Sequence, residues 1–364
     1  MSGAYAGKQV LMMAGGTGGH VFPALAVAAA LAEQGATVAW LGTAAGIEAR
    51  LVPAADIPLH TIDVAGLRGK RLTTLLAAPL AITRALFQAH AVVKRVNPDL
   101  VIGMGGFASG PGGLMARIAG RRLVIHEQNA AAGLTNRLLA RIAHARLQAF
   151  PDTFVAARGA TTVGNPVRAD ILALAAPEQR LMAHEGPLRL LVLGGSGGAL
   201  AINEQVPEAL AEMPPEHRPT VWHQAGRTLA AAERSYEQHG VTAHVEAFID
   251  DMAAAYDWAD MVVCRAGALT VAELAAAGLG ALLIPFPHAV DDHQAANARH
   301  LVDAGAALMV RQNQLSPARL AEALTGLGRN RAELLVRAQA ARRVAWPDST
   351  AKIVAACTQP WSAS

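Results

Sequence analysis

The sequence predicts an α/β protein made of two similar Rossmann-like halves, and three observations point there. A short apolar run, Val10–Ala14, leads at once into a glycine-rich turn, Gly15–His20, and then into an apolar helical stretch. The same order returns at Leu188–Leu193, Gly194–Gly198 and Leu200–Met213. Of 364 residues 52% are hydrophobic but only 4% aromatic, so Ala, Leu and Val must fill the core. Those are the residues of helices packed closely on a parallel sheet. A chain of this length exceeds one typical core, which makes two domains the expectation.

Taken in order, the elements justify that reading. Pro23 to Gln34 has a helical pattern, with proline in the first turn and Gly35 as its cap. Thr37–Leu41 is the next strand, which completes a βαβ unit with its loop at the first strand–helix junction. A helix around Thr73–Arg95, a strand Leu100–Ile102, a helix around Pro111–Gly120, a strand Leu123–His126 and a helix Gly133–Arg141 follow. Asn165-Pro166 interrupts the alternation, and an irregular Ala-rich stretch with Pro177 and Pro187 comes next. The pattern then restarts, adding the strands Thr220–Gln224, Met261–Cys264 and Ala281–Ile284 and a helix from near Gln294. The expected domains are 1–165 and 166–345, joined near 164–187, with a last helix in 346–364 that could dock on either.

Formal net charge is only +3, too weak a bias for a nucleic-acid partner. Cys264 and Cys357 offer neither a disulfide framework nor metal-ligand spacing, and read as packing residues of a reducing compartment. Met1 to Gln9 lacks the apolar core of a signal peptide, and no run of about 18 apolar residues appears. The expectation is a cytosolic protein whose membrane contact, if any, is peripheral.

A glycine-rich turn between a parallel strand and a helix lets backbone N–H groups approach an anion at the positive helix end. Alternatively the glycines only permit a tight turn. Neither loop gives G-x-G-x-x-G in register, and Leu41-Gly42-Thr43 puts no acid after the second strand, which argues against a dinucleotide dehydrogenase. A Gly-Lys-Ser/Thr phosphate loop is also missing.

A third strand–turn–helix junction carries an acid. In Cys264-Arg265-Ala266-Gly267-Ala268-Leu269-Thr270-Val271-Ala272-Glu273, Glu273 sits about one turn into the helix, placed to accept from two ribose hydroxyls or simply to complement the dipole. Arg265 and Thr270 are candidates for base and diphosphate contact. The loop Pro285–Gln294 follows another strand end, and the amide of Gln294 can read sugar hydroxyls. His288 and His293 with Asp291 and Asp292 span a proline-flanked loop, not one helix face, so no metal is expected.

Together these residues closely resemble the MurG family of undecaprenyl-diphospho-muramoylpentapeptide β-N-acetylglucosaminyltransferases. The matching pieces are Gly15–Pro23, Met104–Pro111, His126-Glu127-Gln128-Asn129, Gly164–Arg168, Gly194–Asn203, Phe248–Met252, Arg265–Glu273 and His288–Gln294. They stand in order over roughly residues 9–310. The resemblance implies a GT-B fold, two Rossmann-like domains facing across a cleft. It implies a UDP-GlcNAc donor held by the C-terminal domain and a lipid I acceptor held by the N-terminal domain at the inner membrane's cytoplasmic face. It implies no cofactor, and the company of cell-wall synthesis and division proteins. By analogy, the terminal helix docks on the N-terminal domain.

Carried over by position, Ile249 meets uracil through its backbone, Glu273 holds the ribose, Ser196 and Thr270 contact the diphosphate, and Gln294 reads GlcNAc. The turn residues Ala268, Leu269, Val271 and Ala272 join the donor site with Arg265, and Arg168 enters from the interdomain segment. Thr17, Gly18, Gly19 and Asn129 line the acceptor side. At His293 some relatives have a glutamine, so that position is left open.

A β-1,4 bond made from an α-linked donor implies inversion by one in-line displacement, which needs a general base. His20, directly after the first loop, is the first candidate, with a loop-capping role as its alternative. Glu127 is the second, with loop orientation as its alternative. Leu67-Arg68-Gly69-Lys70-Arg71, leading into Leu72, Leu75, Leu76, Leu80, Arg84, Phe87 and Lys94, forms an apolar stripe with basic flanks. That pattern suits an interfacial helix on anionic lipid, or an ordinary core-facing helix. Competing functions are another glycolipid-forming GT-B transferase, a non-hydrolysing UDP-GlcNAc 2-epimerase and a non-catalytic nucleotide-sugar-binding subunit.

Overall fold

Val10 and Met12 point to one face of the first sheet and Leu11 and Met13 to the other, and all four are fully buried. A strand buried on both faces needs helices on both sides, which is why these runs read as continuous apolar stretches instead of alternating ones. The computed structural model describes residues 4–64, 78–154, 159–328 and 330–358. The chain forms two compact units, Met1–Pro166 with Asp348–Ser364, and Val167–Pro347.

In the first unit the strands are β1 (Gln9–Met13), β2 (Thr37–Gly42), β3 (Leu59–Thr61), β4 (Leu100–Gly103), β5 (Arg122–Glu127), β6 (Ala145–Gln148) and β7 (Ala160–Thr162). They form one parallel sheet in the order β3-β2-β1-β4-β5-β6-β7. Its helices are α1 (Gly18–Glu33), α2 (Glu48–Leu51), α3 (Ala78–Val96), α4 (Ser109–Ile118) and α5 (Leu134–Leu139). Val21, Ala24, Val27 and Leu31 of α1 cover one face, and Ala89, Val92, Val93 and Ala116 of α3 and α4 cover the other.

The second unit begins with α6 (Ala169–Leu172) and α7 (Pro177–Ala183). Then β8 (Arg189–Leu193), α8 (Leu200–Glu212), β9 (Thr220–Gln224), α9 (Leu229–Gln238), β10 (His244–Glu246), α10 (Met252–Trp258) and β11 (Met261–Cys264) follow. The chain continues through α11 (Ala268–Ala277), β12 (Gly280–Leu283), α12 (His293–Asp303), β13 (Ala307–Met309), α13 (Pro317–Gly328) and α14 (Arg331–Arg343). The sheet is parallel in the order β10-β9-β8-β11-β12-β13, the same winding as the first. The last helix, α15 (Ser349–Thr358), lies in the first unit, where Ile353, Val354 and Cys357 join the α1 face. Tyr5 Oη donates to the Val354 carbonyl at 2.8 Å.

Two expectations need correction. Helix α1 begins at Gly18, because the Thr17 carbonyl accepts from the N–H groups of His20 and Val21. Pro23 is therefore inside the helix, where it removes the N–H that would reach Gly19, and not in its first turn. The stretch after Pro166 is not irregular: α6 and α7 occupy it, with Pro177 in the first turn of α7. Residues 73–77 of the helix expected around Thr73–Arg95 lie outside the described residues.

Strand order reverses beside β1 in the first unit and beside β8 in the second. At such a switch point the loops leave in opposite directions and open a crevice at the carboxyl ends of the strands. In the first unit the flanking loops are Ala14–Thr17 and Met104–Ala108; in the second they are Gly194–Ala199 and Arg265–Gly267.

Candidate active site

The backbone groups at the end of β1 are individually held. Trp40 Nε1 donates to the Ala14 carbonyl at 2.8 Å, and Ser109 Oγ donates to the Met13 carbonyl at 3.0 Å and to Gly105 at 2.7 Å. The Gly16 N–H donates to Glu48 Oε2 at 2.9 Å. His20 stands on α1 with Nδ1 3.2 Å from the Gly15 carbonyl and 3.5 Å from Thr17 Oγ1. A carbonyl only accepts, so the neutral ring that makes this bond carries its proton on Nδ1 and its lone pair on Nε2. That is the tautomer a base acting through Nε2 requires. Thr17 and Gly19 are exposed, and Gly18 and His20 half-buried.

A second pair of glycines, after β4, completes this cluster. Gly105 and Gly106 have φ +96° and +89°, and a Cβ built on Gly106 would lie 2.6 Å from Gly15 O and 2.7 Å from Gly15 N. One built on Gly105 would lie 2.6 Å from His20 Cδ2. The loop thus packs backbone on backbone, and only glycine fits.

Glu127, at the end of β5, is buried. Its Oε1 accepts from Asn129 N at 3.0 Å and Asn129 Nδ2 at 3.3 Å; its Oε2 accepts from Gly133 N at 3.1 Å and Asn136 Nδ2 at 2.9 Å. Both oxygens are committed to organising residues 129–136, which favours the orienting role over that of a base. His126 beside it is buried and bonds the Gly164 carbonyl at 2.9 Å; burial pulls its imidazole down to about 4.

The turn after β8 is supported from the neighbouring strand. Gly195 N–H donates to Gln224 Oε1 at 3.0 Å, while Asn203 Nδ2 donates to the Ala225 carbonyl at 2.9 Å and Thr228 Oγ1 at 2.8 Å. Asn203 Oδ1 meets buried His223 Nε2 at 3.0 Å. Ser196 is exposed at the tip of this turn.

Around α11 a polar set converges. Glu273 Oε2 accepts from Tyr256 Oη at 3.0 Å, and its Oε1 lies 3.8 Å from the Arg168 guanidinium. Burial pushes the Glu273 carboxyl above its ordinary range, against the opposing pull of Arg168 and Tyr256. Thr270 lies in the first turn of α11, whose N-cap is Gly267; Leu269, Thr270 and Ala272 are half-buried, Ala268 and Val271 buried. Arg265 donates to the carbonyls of Ile284 (3.1 Å) and Pro285 (3.3 Å) and to Gln312 Oε1 (2.6 Å), so its guanidinium shapes the loop beyond β12. Gln294 Oε1 accepts from Phe286 N at 2.9 Å, which ties its amide to the same loop. Ile249 is 4% exposed, its side chain anchored and its backbone in the loop after β10.

Glu48, Gln224 and Tyr256 carried no signal that sequence reading could assign to the site, because each acts through a distant partner; Gly105, Gly106 and Asn203 lay in matching segments but had no role of their own. Among the described residues no group of three or more His, Cys, Asp or Glu side chains could hold a metal ion. Nor is any helix of the described residues long and apolar enough to cross a membrane. The thiols of Cys264 and Cys357 are both buried, which pushes each up to about 12.

Two doubly wound parallel sheets, each with a glycine loop at its switch point, are the architecture of the GT-B class, to which glycosyltransferases belong. Residues 10–148 match the glycosyltransferase family 28 N-terminal domain and residues 189–352 its C-terminal domain. Proteins named UDP-N-acetylglucosamine–N-acetylmuramyl-(pentapeptide) pyrophosphoryl-undecaprenol N-acetylglucosamine transferase are similar over nearly the whole chain. The one from Chromohalobacter salexigens is 57% identical and the one from Marinobacter nauticus 54%, each over 97% of both chains. The crystal structure of Acinetobacter baumannii MurG superposes with a TM-score of 0.84 at 43% identity, covering 97% of this chain and 100% of that one. The chain belongs to glycosyltransferase family 28 and, within it, to the MurG family.

Proposed function

We infer that this enzyme moves GlcNAc from UDP-GlcNAc to the MurNAc 4-hydroxyl of undecaprenyl-diphospho-MurNAc-pentapeptide (lipid I), forming lipid II for peptidoglycan synthesis. The observation that carries this reading is the 54% identity to transferases of that name over 97% of both chains. The donor belongs to the second unit. The ribose hydroxyls donate to Glu273, whose carboxylate Tyr256 and Arg168 already face. The uracil edge meets the backbone at Ile249. The diphosphate lies on the Gly194–Gly198 turn with Ser196 and Thr270, and the GlcNAc hydroxyls meet Gln294. The turn residues Ala268, Leu269, Val271 and Ala272 and the guanidinium of Arg265 shape this pocket.

The acceptor belongs to the first unit, beside Thr17, Gly18, Gly19 and Asn129. Its 4-hydroxyl attacks the anomeric carbon as the bond to UDP breaks, and His20 Nε2 takes the hydroxyl proton. Charge appearing on UDP is offset by the amides of the second loop and the positive end of α8. Glu127 holds the 129–136 segment in place.

Exposed apolar side chains on α3 to α5 support a peripheral membrane contact. Leu80 and Phe87 are 76% and 72% exposed, with Ile118 and Leu134 exposed on α4 and α5. These apolar side chains suit shallow insertion at an anionic surface on the cytoplasmic side. Arg84 pairs with Asp63 at 2.7 Å, so the basic attraction falls to exposed Lys94 and to Arg68, Lys70 and Arg71, of which the last three lie outside the described residues with Leu67, Leu72, Leu75 and Leu76.

Transfer of radiolabelled GlcNAc from UDP-GlcNAc to a short-chain lipid I analogue tests the reading. A β-linked disaccharide product supports it; release of ManNAc, or UDP-GlcNAc binding without transfer, sinks it. Co-sedimentation with anionic vesicles that survives both Leu80→Glu and Phe87→Glu would count against the membrane contact.

A further inference from the structure

A carboxylate that no motif includes lies under the first glycine loop. Glu48, the first residue of α2, is fully buried. Its Oε2 accepts from Gly16 N at 2.9 Å, and its Oε1 accepts from Thr43 N at 2.9 Å and Thr43 Oγ1 at 2.7 Å. Among the described residues no cation pairs with it. Burying a carboxylate without a counter-charge is costly unless donors replace its water, and here three do. Burial alone would raise its pKa, yet those hydrogen bonds bring it below the ordinary range.

Three glycines make the room. A Cβ on Gly42 would lie 2.7 Å from Glu48 Cγ, and one on Gly15 2.7 Å from Glu48 Cδ; one on Gly46 would overlap the carboxylate itself. None of the three has the positive φ that would by itself call for glycine. Their lack of a side chain is explained by the space Glu48 fills. The residue that this cage serves is two steps away: Glu48 fixes Gly16, and the Gly15 carbonyl fixes Nδ1 of His20.

We propose that Glu48 is the positioning residue of the Gly15–His20 loop, setting the backbone that orients His20. The proposal rests on the reading that His20 serves the acceptor. Glu48→Gln keeps the volume but turns an NH2 toward N–H donors, so one arm of the clamp opens. Gly46→Ala displaces the same carboxylate from outside the loop.

The test compares the full-length chain with Glu48→Gln, Gly46→Ala and His20→Ala. It reads amide hydrogen exchange at residues 15–20, acceptor kcat and KM, and UDP affinity. Both cage variants are expected to speed exchange in the loop and lower kcat at least tenfold. UDP, bound by the other unit, should keep its Kd within about twofold, and amide exchange in β1 and β4 should stay at the wild-type rate, the control for folding of the mutated unit. Should Glu48→Gln lose the protection of β1 and β4, Gly46→Ala carries the test alone. Wild-type exchange in the loop overturns the proposal, whatever happens to kcat. Faster exchange with unchanged kcat overturns its functional half. Near wild-type turnover of His20→Ala instead sinks the reading of His20, leaving the loop result standing.

Discussion

At the residue scale, the geometry distinguishes the histidine and the acid between which the sequence left the base open. His20 has its Nδ1 turned to a carbonyl and Nε2 left as the basic nitrogen, whereas Glu127 accepts from four N–H groups. His20→Ala should therefore lower kcat by about 10²–10⁴, the usual contribution of a positioned base, with UDP affinity unchanged. Steady-state transfer kinetics decide this, and a loss confined to KM would point to binding instead. Glu127→Gln should act on folding, costing about 1–3 kcal/mol in denaturant unfolding as buried N–H groups lose an acceptor. Glu273→Ala should weaken UDP binding by about 1.5–3 kcal/mol, roughly ten- to a hundredfold, the worth of hydrogen bonds to a charged group. Calorimetry with UDP measures it, and an unchanged Kd would remove Glu273 from the ribose. Glu273 was legible because it follows a strand and a small-residue turn. Tyr256, 17 positions earlier, was not, because nothing in its own surroundings pairs it with an acid.

Among the elements, the strand–glycine–helix junctions were readable because a glycine run after an apolar strand has few other uses. The edge strands β3, β7, β10 and β13 went unrecognised: each is three residues long, too short to show a period. The helices in the stretch after Asn165-Pro166 went unread for a related reason, since α6 has only four residues and gains its order from packing on α10 and α11. The glycine loops also depend on second glycines that sequence reading left unassigned. Gly226, with φ +64°, lies so close that a Cβ on it would be 2.7 Å from Gly198 Cα. Gly226→Ala should displace the second loop and weaken UDP binding at least tenfold, about 1.4 kcal/mol or more. Gly106→Ala should instead disturb the first loop, lowering transfer while UDP affinity stays within twofold. Measuring UDP affinity and transfer for both variants checks this; matching effects on UDP would contradict two separately built sites.

For the whole molecule, each unit carries one fully buried imidazole on a strand of its sheet, His126 on β5 and His223 on β9. Burial draws His126 down to about 4 and His223 to about 3, against an ordinary value of 6.5. In the unfolded chain both take up protons as pH falls below 6.5, while in the folded chain they stay neutral. Stability is therefore fully present above 6.5 and is lost as pH falls toward the folded values, by about 1.4 kcal/mol per pH unit for each group. A melting temperature that does not fall between pH 7 and 5 would show that neither imidazole is held neutral. The sequence by itself determined the α/β class, the duplicated winding and the family, because strand–loop–helix order and glycine placement are local, and strand polarity follows from them. It also named the two loops that began the reading. Only the tertiary structure decided what holds those loops: Glu48 under one, Gln224 and Asn203 under the other. Those bonds join residues tens of positions apart, and chain order carries no record of which distant side chain will fill a space left by a glycine.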